Sequence, residues 1–362
     1  MNYPGKIIKE FIPDAKSSRK SEGAFYRKDD GTIYFVFSHY RNNREDGGAC
    51  DLAMSVSTDD CKTFSDEKVV LTCEECGAAN IMSVSLLRMQ DGTIGMFYLK
   101  KSGKTDCRMF LRRTTDFVSF SAETEVISDR GFSVVNNDRV LRLKDGSILV
   151  PSAFCDTSAV SSDVTHENLT EYVLPPAVAV FWKSTDDGKT FFKEGKTEMP
   201  HKIFTTGLQE PVCAELDDGR LVAYFRNNSG RQYVAFSSDG AKTWSEPQPS
   251  VITSPPSPMS LKRLSDGRFF AVYNPIPLYY KRSETVGAKR AWTGARTPLV
   301  AAVSNDGVSD FKIEGEIETD RERGFCYCAV CETPEAVLLG YCAGGETDGS
   351  TLARIRIRRI DK

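Results

Sequence analysis

The stretch Ser184-Thr-Asp-Asp-Gly-Lys-Thr-Phe191 decides the fold, because the same phrase recurs along the chain. It returns as Ser57-Thr-Asp-Asp-Cys-Lys-Thr-Phe64, as Ser237-Ser-Asp-Gly-Ala-Lys-Thr-Trp244 and, more altered, as Ser304-Asn-Asp-Gly-Val-Ser-Asp-Phe311. A shortened relative is Thr114-Thr-Asp-Phe-Val-Ser-Phe120. A turn that repeats along a chain indicates a repeated supersecondary unit. The sequence therefore predicts a fold built from copies of one unit.

A second repeated pattern precedes these phrases and consists of two alternating apolar runs joined by a turn. The turn is Asp-Gly in five copies, at residues 30–31, 91–92, 145–146, 218–219 and 266–267, and a looser sixth copy spans residues 327–341. Asp-Gly between such runs is a strong β-hairpin signal and predicts a type I′ turn with positive φ at both central residues. Six hairpins, most followed by a third strand, predict six small antiparallel sheets.

The spacing of the units predicts the architecture. They begin near residues 22, 80, 134, 208, 257 and 325, which suits propeller blades joined by loops of variable length. We therefore predict an all-β chain forming one six-bladed β-propeller domain over residues 1–362. A propeller leaves no open edge only if its ring closes. The alternating segment 6–12 is predicted to complete the last blade beside the segment 352–360.

Composition excludes several classes of partner. The 362 residues are 40% hydrophobic and 27% charged, as in an ordinary globular protein, and the formal net charge is −3. That charge argues against nucleic acid and anionic membranes as partners. No apolar run approaches the roughly 20 residues that span a bilayer. The first 18 residues lack the apolar stretch of a signal peptide, so a cytoplasmic protein is predicted, although a chain trimmed of its signal would look the same.

Eleven cysteines raise the question of disulfides or metal. Their odd number and their positions within candidate strands predict free buried thiols. The spacings Cys73-x-x-Cys76 and Cys326-x-Cys328-x-x-Cys331 would permit zinc, but alternation along a strand points neighbouring thiols to opposite faces. We predict no metal and no cofactor.

The phrase Ser-x-Asp-x-Gly-x-Thr-Trp resembles the Asp-box of sialidases and related six-bladed propellers, and the similarity covers nearly the whole chain. In that family the box is structural, since its Asp caps its own turn and its aromatic residue packs between strands. Function is then expected from loops and strand ends that face a central pocket.

The resemblance implies a catalytic set in the family's order. Glu210, in Gln-Glu-Pro, matches the general base, and Tyr327, in Phe-Cys-Tyr-Cys, matches the nucleophile. Asp46, in the loop before the first box, matches the acid/base, while Arg226 and Arg296 match two of three arginines that hold the substrate carboxylate. A neutral Tyr approaches a carboxylated sugar without the repulsion that a carboxylate nucleophile would meet. Tyr279 and Tyr280, on a nearby loop, are alternatives to Tyr327.

One departure from the family concerns the first arginine. Sialidases begin their first blade with Phe-Arg-Ile-Pro, whereas this chain has Ser21-Glu-Gly-Ala-Phe25, which places Glu22 at the arginine position. An acidic side chain at this position would repel the carboxylate of the substrate. Further predicted substrate-binding residues are Arg41, after the second strand, and Asn137, Asp138 and Arg139, at the opening of the third blade.

Three hypotheses follow. The leading one is an exo-acting glycoside hydrolase that removes a terminal, acidic sugar from a glycan through Tyr327, Glu210 and Asp46. The second is a hydrolase of a non-sialic sugar that uses carboxylates among Glu22, Asp138 and Glu210. The third is a glycan-binding propeller without catalysis. In each, the predicted partner is a glycan.

Overall fold

The computed structural model describes residues 1–101, 105–158, 175–200, 206–278 and 295–362. Within these ranges the chain is all-β, with 25 strands and one 3₁₀ turn at Glu346–Asp348. No helix in the described ranges is long and apolar enough to cross a bilayer.

Six groups of strands, here called units one to six, follow one another along the chain. The N-terminal strand is β1 (Lys6–Phe11). Unit one contains β2 (Arg19–Arg27), β3 (Ile33–Tyr40), β4 (Cys50–Ser57) and β5 (Lys68–Leu71). Unit two contains β6 (Asn80–Arg88), β7 (Ile94–Lys101), β8 (Cys107–Thr114) and β9 (Thr124–Glu125). Unit three contains β10 (Phe132–Val134), β11 (Leu141–Arg142), β12 (Ile148–Cys155), β13 (Val178–Ser184) and β14 (Phe192–Thr197).

The remaining units have the same plan. Unit four contains β15 (Gln209–Glu215), β16 (Leu221–Arg226), β17 (Arg231–Ser237) and β18 (Gln248–Thr253). Unit five contains β19 (Ser260–Arg263), β20 (Phe269–Tyr273), β21 (Leu299–Ser304) and β22 (Lys312–Glu318). Unit six contains β23 (Cys326–Glu332), β24 (Ala336–Cys342) and β25 (Ile355–Asp361). All six predicted hairpins are therefore present.

The connections between units place their first strands side by side. Units one to three join into one 13-stranded sheet, whereas units four, five and six are separate four-stranded sheets. Strand β2 contacts both β6 and β23, and β19 contacts both β15 and β23. The first unit thus borders the second and the sixth.

The fourth strand of unit six comes from the other end of the chain. Strand β1 pairs antiparallel with β25, from Lys6 opposite Arg359 to Phe11 opposite Ile355. This pairing of the terminal segments is the one that the alternating apolar residues predicted. It leaves β1 as the outer strand of the order β1-β25-β24-β23.

The hairpin turns differ from the predicted type I′. Only the glycine of each Asp-Gly pair has positive φ, between 83° and 91°. The preceding aspartate instead accepts a hydrogen bond from the backbone N–H two residues later, at 2.8 Å between Thr32 and Asp30. Backbone bonds of Lys28 with Gly31 and Thr32 close the turn. This is a type I turn followed by a left-handed glycine, the other common hairpin connection, and the aspartate side chain favours it.

The repeated Asp phrase forms the turn between the last two strands of a unit. In unit three, Asp186 Oδ1 accepts the backbone N–H groups of Lys189 and Thr190, and its Oδ2 accepts the Thr190 hydroxyl at 2.6 Å. Asp59 and Asp239 make the same bonds. These bonds lower the pKa of Asp186 to about 2, although partial burial opposes them. The phrase is therefore a structural turn, as its resemblance implied.

In units three, four and five, the aromatic residue that ends the phrase packs on the unit before it. Trp244 stacks on Phe181 of unit three, with ring centroids 4.0 Å apart. Phe191 meets Phe97 of unit two, and Phe311 meets Tyr224 of unit four, each at 6.2 Å. These contacts help to build apolar cores between neighbouring units. All eleven cysteines lie within the described ranges and are free, and all except Cys331 are buried.

Candidate active site

The first strands of the units share an unusual backbone feature. In five of the six units, one residue other than glycine has a left-handed backbone within that strand or, in unit three, shortly after it. These residues are Glu22, Ser83, Asp138, Glu210 and Tyr327, with φ of 55°, 52°, 58°, 45° and 55°. All but Asp138 coincide with β-bulges, where the register to the next strand shifts. Bulges redirect side chains, and strained backbone of this kind clusters at functional sites.

Four of the five left-handed residues line a single cavity of about 270 Å³. Asp138 does not. The polar or charged lining residues are Glu22, Asp46, Ser83, Lys101, Asn136, Glu210, Arg226, Arg296 and Tyr327. The apolar lining residues are Met82, Leu99, Cys107, Phe132, Val134 and Leu352. The structure thus brings together Glu22, Asp46, Glu210, Arg226, Arg296 and Tyr327, which lie far apart in the sequence.

Tyr327, Glu210 and Arg226 form a chain of hydrogen bonds in this cavity. Tyr327 Oη donates to Glu210 Oε1 at 2.8 Å, and Arg226 Nη1 donates to Glu210 Oε2 at 2.9 Å. Burial raises the pKa of Glu210, but Arg226, Arg296 and the bond from Tyr327 outweigh it and hold that pKa below its usual value. Burial and the charge of Glu210 raise the pKa of Tyr327 well above its usual value. At neutral pH a phenol therefore faces a carboxylate, which is the arrangement of a nucleophile beside its base.

Arg296 covers the other side of the tyrosine. Its guanidinium carbon lies 5.3 Å from the centroid of the Tyr327 ring, within cation–π range. Its Nη1 donates to Cys326 Sγ at 3.1 Å, and its Nε is buried without a hydrogen-bond partner among the described residues. Burial alone would lower the pKa of Arg296, but Cys326, Tyr327 and Glu210 raise it. The side chain therefore remains a cation in the cavity lining.

Asp46 lies in the cavity wall with much of its side chain open to solvent. Its side chain is 67% exposed, and its Oδ1 accepts a hydrogen bond from Arg19 Nη1 at 2.5 Å. The backbone carbonyl of Asp46 accepts from Asn80 Nδ2 at 3.4 Å and from Lys101 Nζ. Arg19 itself stacks on the ring of Tyr40, 4.4 Å away. Hydrogen bonds from three different strands therefore fix the loop at Asp46.

Glu22 lines the same cavity but is only 4% exposed. Ser83 Oγ donates to its Oε2 at 2.7 Å, and Arg19 Nη2 donates to its Oε1 at 3.2 Å. Burial raises the pKa of Glu22, and the charge of Arg19 offsets this only in part. Two pairs of left-handed residues thus meet across different units, Glu22 of unit one with Ser83 of unit two, and Glu210 of unit four with Tyr327 of unit six.

Of the four polar residues at positions 136–139, near the start of unit three, one lines the cavity and three bond to other units. Only Asn136 lines the cavity. Asn137 is fully buried, and its Nδ2 donates to the backbone carbonyls of Gly23 and Tyr327, at 2.6 and 3.2 Å. Arg139 Nη2 donates to the backbone carbonyl of Met259 at 2.8 Å. Asp138 accepts from Lys262 Nζ and from the Val330 backbone N–H, each at 3.0 Å. These three side chains tie strands of different units together.

Arg41 lies outside the cavity. Its guanidinium contacts Asp51 at 3.4 Å, Cys73 Sγ at 3.1 Å and Glu74. Those three residues form the group of acidic and thiol side chains whose atoms are close enough to share an ion. The arginine already supplies the positive charge there. Tyr279 and Tyr280, the alternatives to Tyr327, lie outside the described residues.

Several residues that line the cavity or bond to its lining were missed from the sequence. Arg19 precedes Glu22 by three positions, and only the bulge at Glu22 brings the two side chains together. Ser83 and Lys101 lie in no sequence motif that would mark them as functional. In the pair Asn136-Asn137, the backbone alone decides which amide reaches the cavity. The left-handed positions leave no signature in the sequence, because their residue types differ.

Known proteins provide an independent comparison. The family profile described as "BNR repeat-like domain" matches residues 31–339, most of the chain. The chain belongs to the BNR repeat-like family. This agrees with the sialidase and BNR-repeat superfamily that the Asp phrases indicated. Among curated proteins, none matches the sequence.

Solved structures extend the likeness to nearly every residue of this BNR repeat-like chain. A Dyadobacter fermentans protein of unknown function is 17% identical, with a TM-score of 0.71, and the match covers 99% of this chain and 100% of that one. A Hadza microbial sialidase is 15% identical (TM-score 0.71, coverage 96% and 66%). The Trypanosoma rangeli sialidase, solved in complex with sialic acid, is 14% identical (TM-score 0.67, coverage 98% and 57%). This chain thus spans about two thirds of the first sialidase and just over half of the second. At such identities the likeness shows the fold alone.

Proposed function

We propose that this protein is an exo-acting glycoside hydrolase that uses Tyr327 as nucleophile, Glu210 as its base and Asp46 as acid and base. The observation that carries the proposal is the 2.8 Å hydrogen bond from Tyr327 Oη to Glu210 Oε1 inside a cavity, with Glu210 oriented by Arg226. A nucleophile that is hydrogen-bonded to a base, with a third group orienting that base, is the arrangement that covalent catalysis requires. We also infer that the six units are blades of one closed propeller, which places these strands around a common axis.

In the first step, Tyr327 Oη bonds to the anomeric carbon of the terminal sugar while the glycosidic C–O bond breaks. The phenol proton passes to Glu210 Oε1, and Asp46 gives a proton to the departing oxygen. The lowered pKa of Glu210 keeps it ionised before the step, ready to accept that proton. The cations Arg226 and Arg296 offset negative charge on the tyrosine oxygen as its proton leaves.

In the second step, Asp46 takes a proton from water, and the water oxygen attacks the anomeric carbon. The bond to Tyr327 Oη breaks, and that oxygen recovers its proton from Glu210. The enzyme returns to its starting state, and the sugar has exchanged its aglycone for a hydroxyl. Asp46 suits this part because its side chain is open to solvent, while Arg19 fixes one of its oxygens.

For Asn137, Asp138 and Arg139 we propose a positioning role in place of direct sugar binding. Asn137 holds the backbone carbonyl of Tyr327, itself a left-handed position, and that of Gly23, which follows the left-handed Glu22. Asp138 holds the backbone of Val330 on the strand that carries Tyr327. Their hydrogen bonds would keep the cavity's strained backbone in place.

Turnover of a panel of fluorogenic aryl glycosides, sialosides included, tests the proposal. We expect wild type to cleave at least one member, and Tyr327→Phe to lose about 10³-fold or more in rate. Tyr224→Phe is the matched control, because that buried phenol of unit four donates to the Gly307 carbonyl of unit five and does not line the cavity. Equal rates for wild type and Tyr327→Phe would refute the tyrosine mechanism. Sugar binding without any turnover would favour a glycan-binding propeller.

A further inference from the structure

The mechanism leaves one wall of the cavity without a role. This wall consists of Glu22, with Ser83 and Arg19 hydrogen-bonded to its two carboxylate oxygens. The left-handed backbone at Glu22 directs its side chain into the cavity that also holds Tyr327 and Glu210. A sugar bound at the tyrosine therefore shares its cavity with this carboxylate.

The nearest cation is already engaged. Arg19 is 2% exposed and does not line the cavity. Besides Glu22 and Asp46, it donates to Ser21 Oγ at 2.9 Å and to the Arg44 carbonyl at 3.1 Å. One guanidinium thus serves two carboxylates, and Lys101, a further cation of the cavity lining, donates to the Asp46 carbonyl. A carboxylate on the ligand would add a third negative group at this wall, and like charges disfavour each other strongly when desolvated.

Glu22 can instead accept hydrogen bonds from a ligand. A carboxylate has about four acceptor positions, and Ser83 and Arg19 occupy two of them. Hydroxyl and amino groups on a sugar ring are suitable donors for the others. Met82, Leu99 and Phe132 line the same cavity and offer apolar surface to the C–H face of a ring.

We propose that Glu22, positioned by Arg19 and Ser83, selects a sugar that presents a hydroxyl or amino group to this wall and rejects one that presents a carboxylate there. The substrate class is then a neutral or amino glycoside instead of the acidic sugar expected from the sialidase resemblance. The inference rests on the proposed function for the reaction, but the selection itself is a property of binding.

Binding of methyl glycosides to the intact protein, measured by calorimetry, tests the selection without turnover. The probes are neutral hexosides, aminohexosides, their uronic acid counterparts and a methyl sialoside. We expect a neutral or amino sugar to bind wild type more tightly than its carboxylated counterpart. In Glu22→Gln its affinity should fall about 10- to 100-fold, because a charged acceptor is lost. Carboxylated sugars should gain about tenfold in the same variant, because a repelling charge is removed.

Two further variants keep the test decisive. Glu318→Gln is the matched control, since that buried carboxylate also accepts from an arginine, Arg358, but lies outside the cavity. Its sugar affinities should equal those of wild type. Ser83→Ala keeps the charge of Glu22 and removes one hydrogen bond, so it should weaken the neutral sugar by a smaller factor than Glu22→Gln. It also serves if Glu22→Gln does not fold.

The outcomes separate this inference from the proposed function. Tighter binding of a carboxylated sugar, an unchanged affinity in Glu22→Gln, or no binding of any sugar by wild type would overturn the inference. Cleavage of a sialoside that Tyr327→Phe abolishes would also overturn it, yet would leave the tyrosine mechanism standing. Selective binding of neutral sugars without turnover would support the inference and contradict the proposed function.

Discussion

The Asp turns and the bulges of the first strands are two sets of repeated positions with opposite character. The turns place the same residues in the same bonds, as Asp59, Asp186 and Asp239 each hold a threonine hydroxyl at 2.6 Å. The bulges repeat the backbone angle but not the residue, which is an acid at Glu22 and Glu210 and a phenol at Tyr327. One set repeats its chemistry to hold the units together. The other repeats only its geometry and supplies different groups to one cavity.

The comparison predicts that substitutions in the two sets separate activity from stability. Substitutions at the bulges should lower turnover by more than any loss of folded protein explains. Substitutions at the turns should change the free energy of unfolding and leave turnover nearly unaffected, because the turns lie away from the cavity lining.

The largest expected effect is at Glu210. Glu210→Gln should lower kcat by about 10²- to 10⁴-fold, because the amide cannot take the phenol proton. In wild type the lowered pKa of Glu210 means that activity is present at neutral pH and falls only as acid protonates this carboxylate. That acidic limb should vanish in the residual activity of the variant. A pH profile of kcat measures both the loss of rate and the acidic limb. An acidic limb that is unchanged in the variant would mean that another group causes it.

The next effect concerns the aromatic contact between units three and four. Trp244→Ala removes the ring that stacks on Phe181, and we expect a loss of about 2–3 kcal/mol in the free energy of unfolding. Urea unfolding gives this value. Trp244→Phe, which keeps an aromatic ring, should lose less. A fall in kcat that exceeds the fall in folded fraction would contradict the separation of the two sets.

A smaller loss is expected at the turn itself. Asp186→Ala removes acceptors for Lys189 and Thr190, and should cost about 1–2 kcal/mol of unfolding free energy. The pKa of Asp186 is lowered to about 2, so its stabilisation is present above pH 3.8 and is lost as the pH falls towards 2. Wild type and variant should therefore converge in stability at low pH. A constant difference down to pH 2 would show that the charge of Asp186 has no part in it.

The smallest effect is a change of slope at Glu22. Burial raises the pKa of this carboxyl above its usual value near 4.5, so the folded protein binds its proton more tightly than the unfolded chain. That contribution to stability is present below pH 4.5 and is lost as the pH rises through the raised pKa. As the pH rises through this range, the melting temperature should fall less in Glu22→Gln than in wild type. Parallel curves would mean that Glu22 titrates as an ordinary surface acid.

The sequence predicted the units well because their determinants are local. Each Asp-Gly lies between apolar runs that form strands, and each Asp phrase contains all the partners of its own turn. The turn type was wrong, since propensity for Asp-Gly does not reveal that Asp30 bonds to the backbone of Thr32. The pairing of β1 with β25 was also predictable, because both segments alternate and one unit lacked a strand.

The site was less predictable because its determinants are not local. Tyr327 and Glu210 are 117 positions apart and meet only through the arrangement of units four and six. Resemblance supplied these residues, whereas the residues that support them came only from the structure. Arg19 joins Glu22 and Asp46 through a bulge, and Asn137 bonds to carbonyls of two other units. Neither partner choice is written in the neighbouring sequence.

Trapping of the covalent intermediate tests the central claim most directly. A glycosyl fluoride with fluorine at the carbon next to the anomeric centre, made for the sugar that the turnover panel identifies, forms the adduct quickly and releases it slowly. Its anomeric fluoride would depart as Tyr327 Oη bonds to carbon and Glu210 accepts the phenol proton. Peptide mass spectrometry should then find the sugar on Tyr327 in wild type and no adduct in Tyr327→Phe. An adduct on Glu22 or Glu210 would contradict the tyrosine mechanism and support a pair of carboxylates.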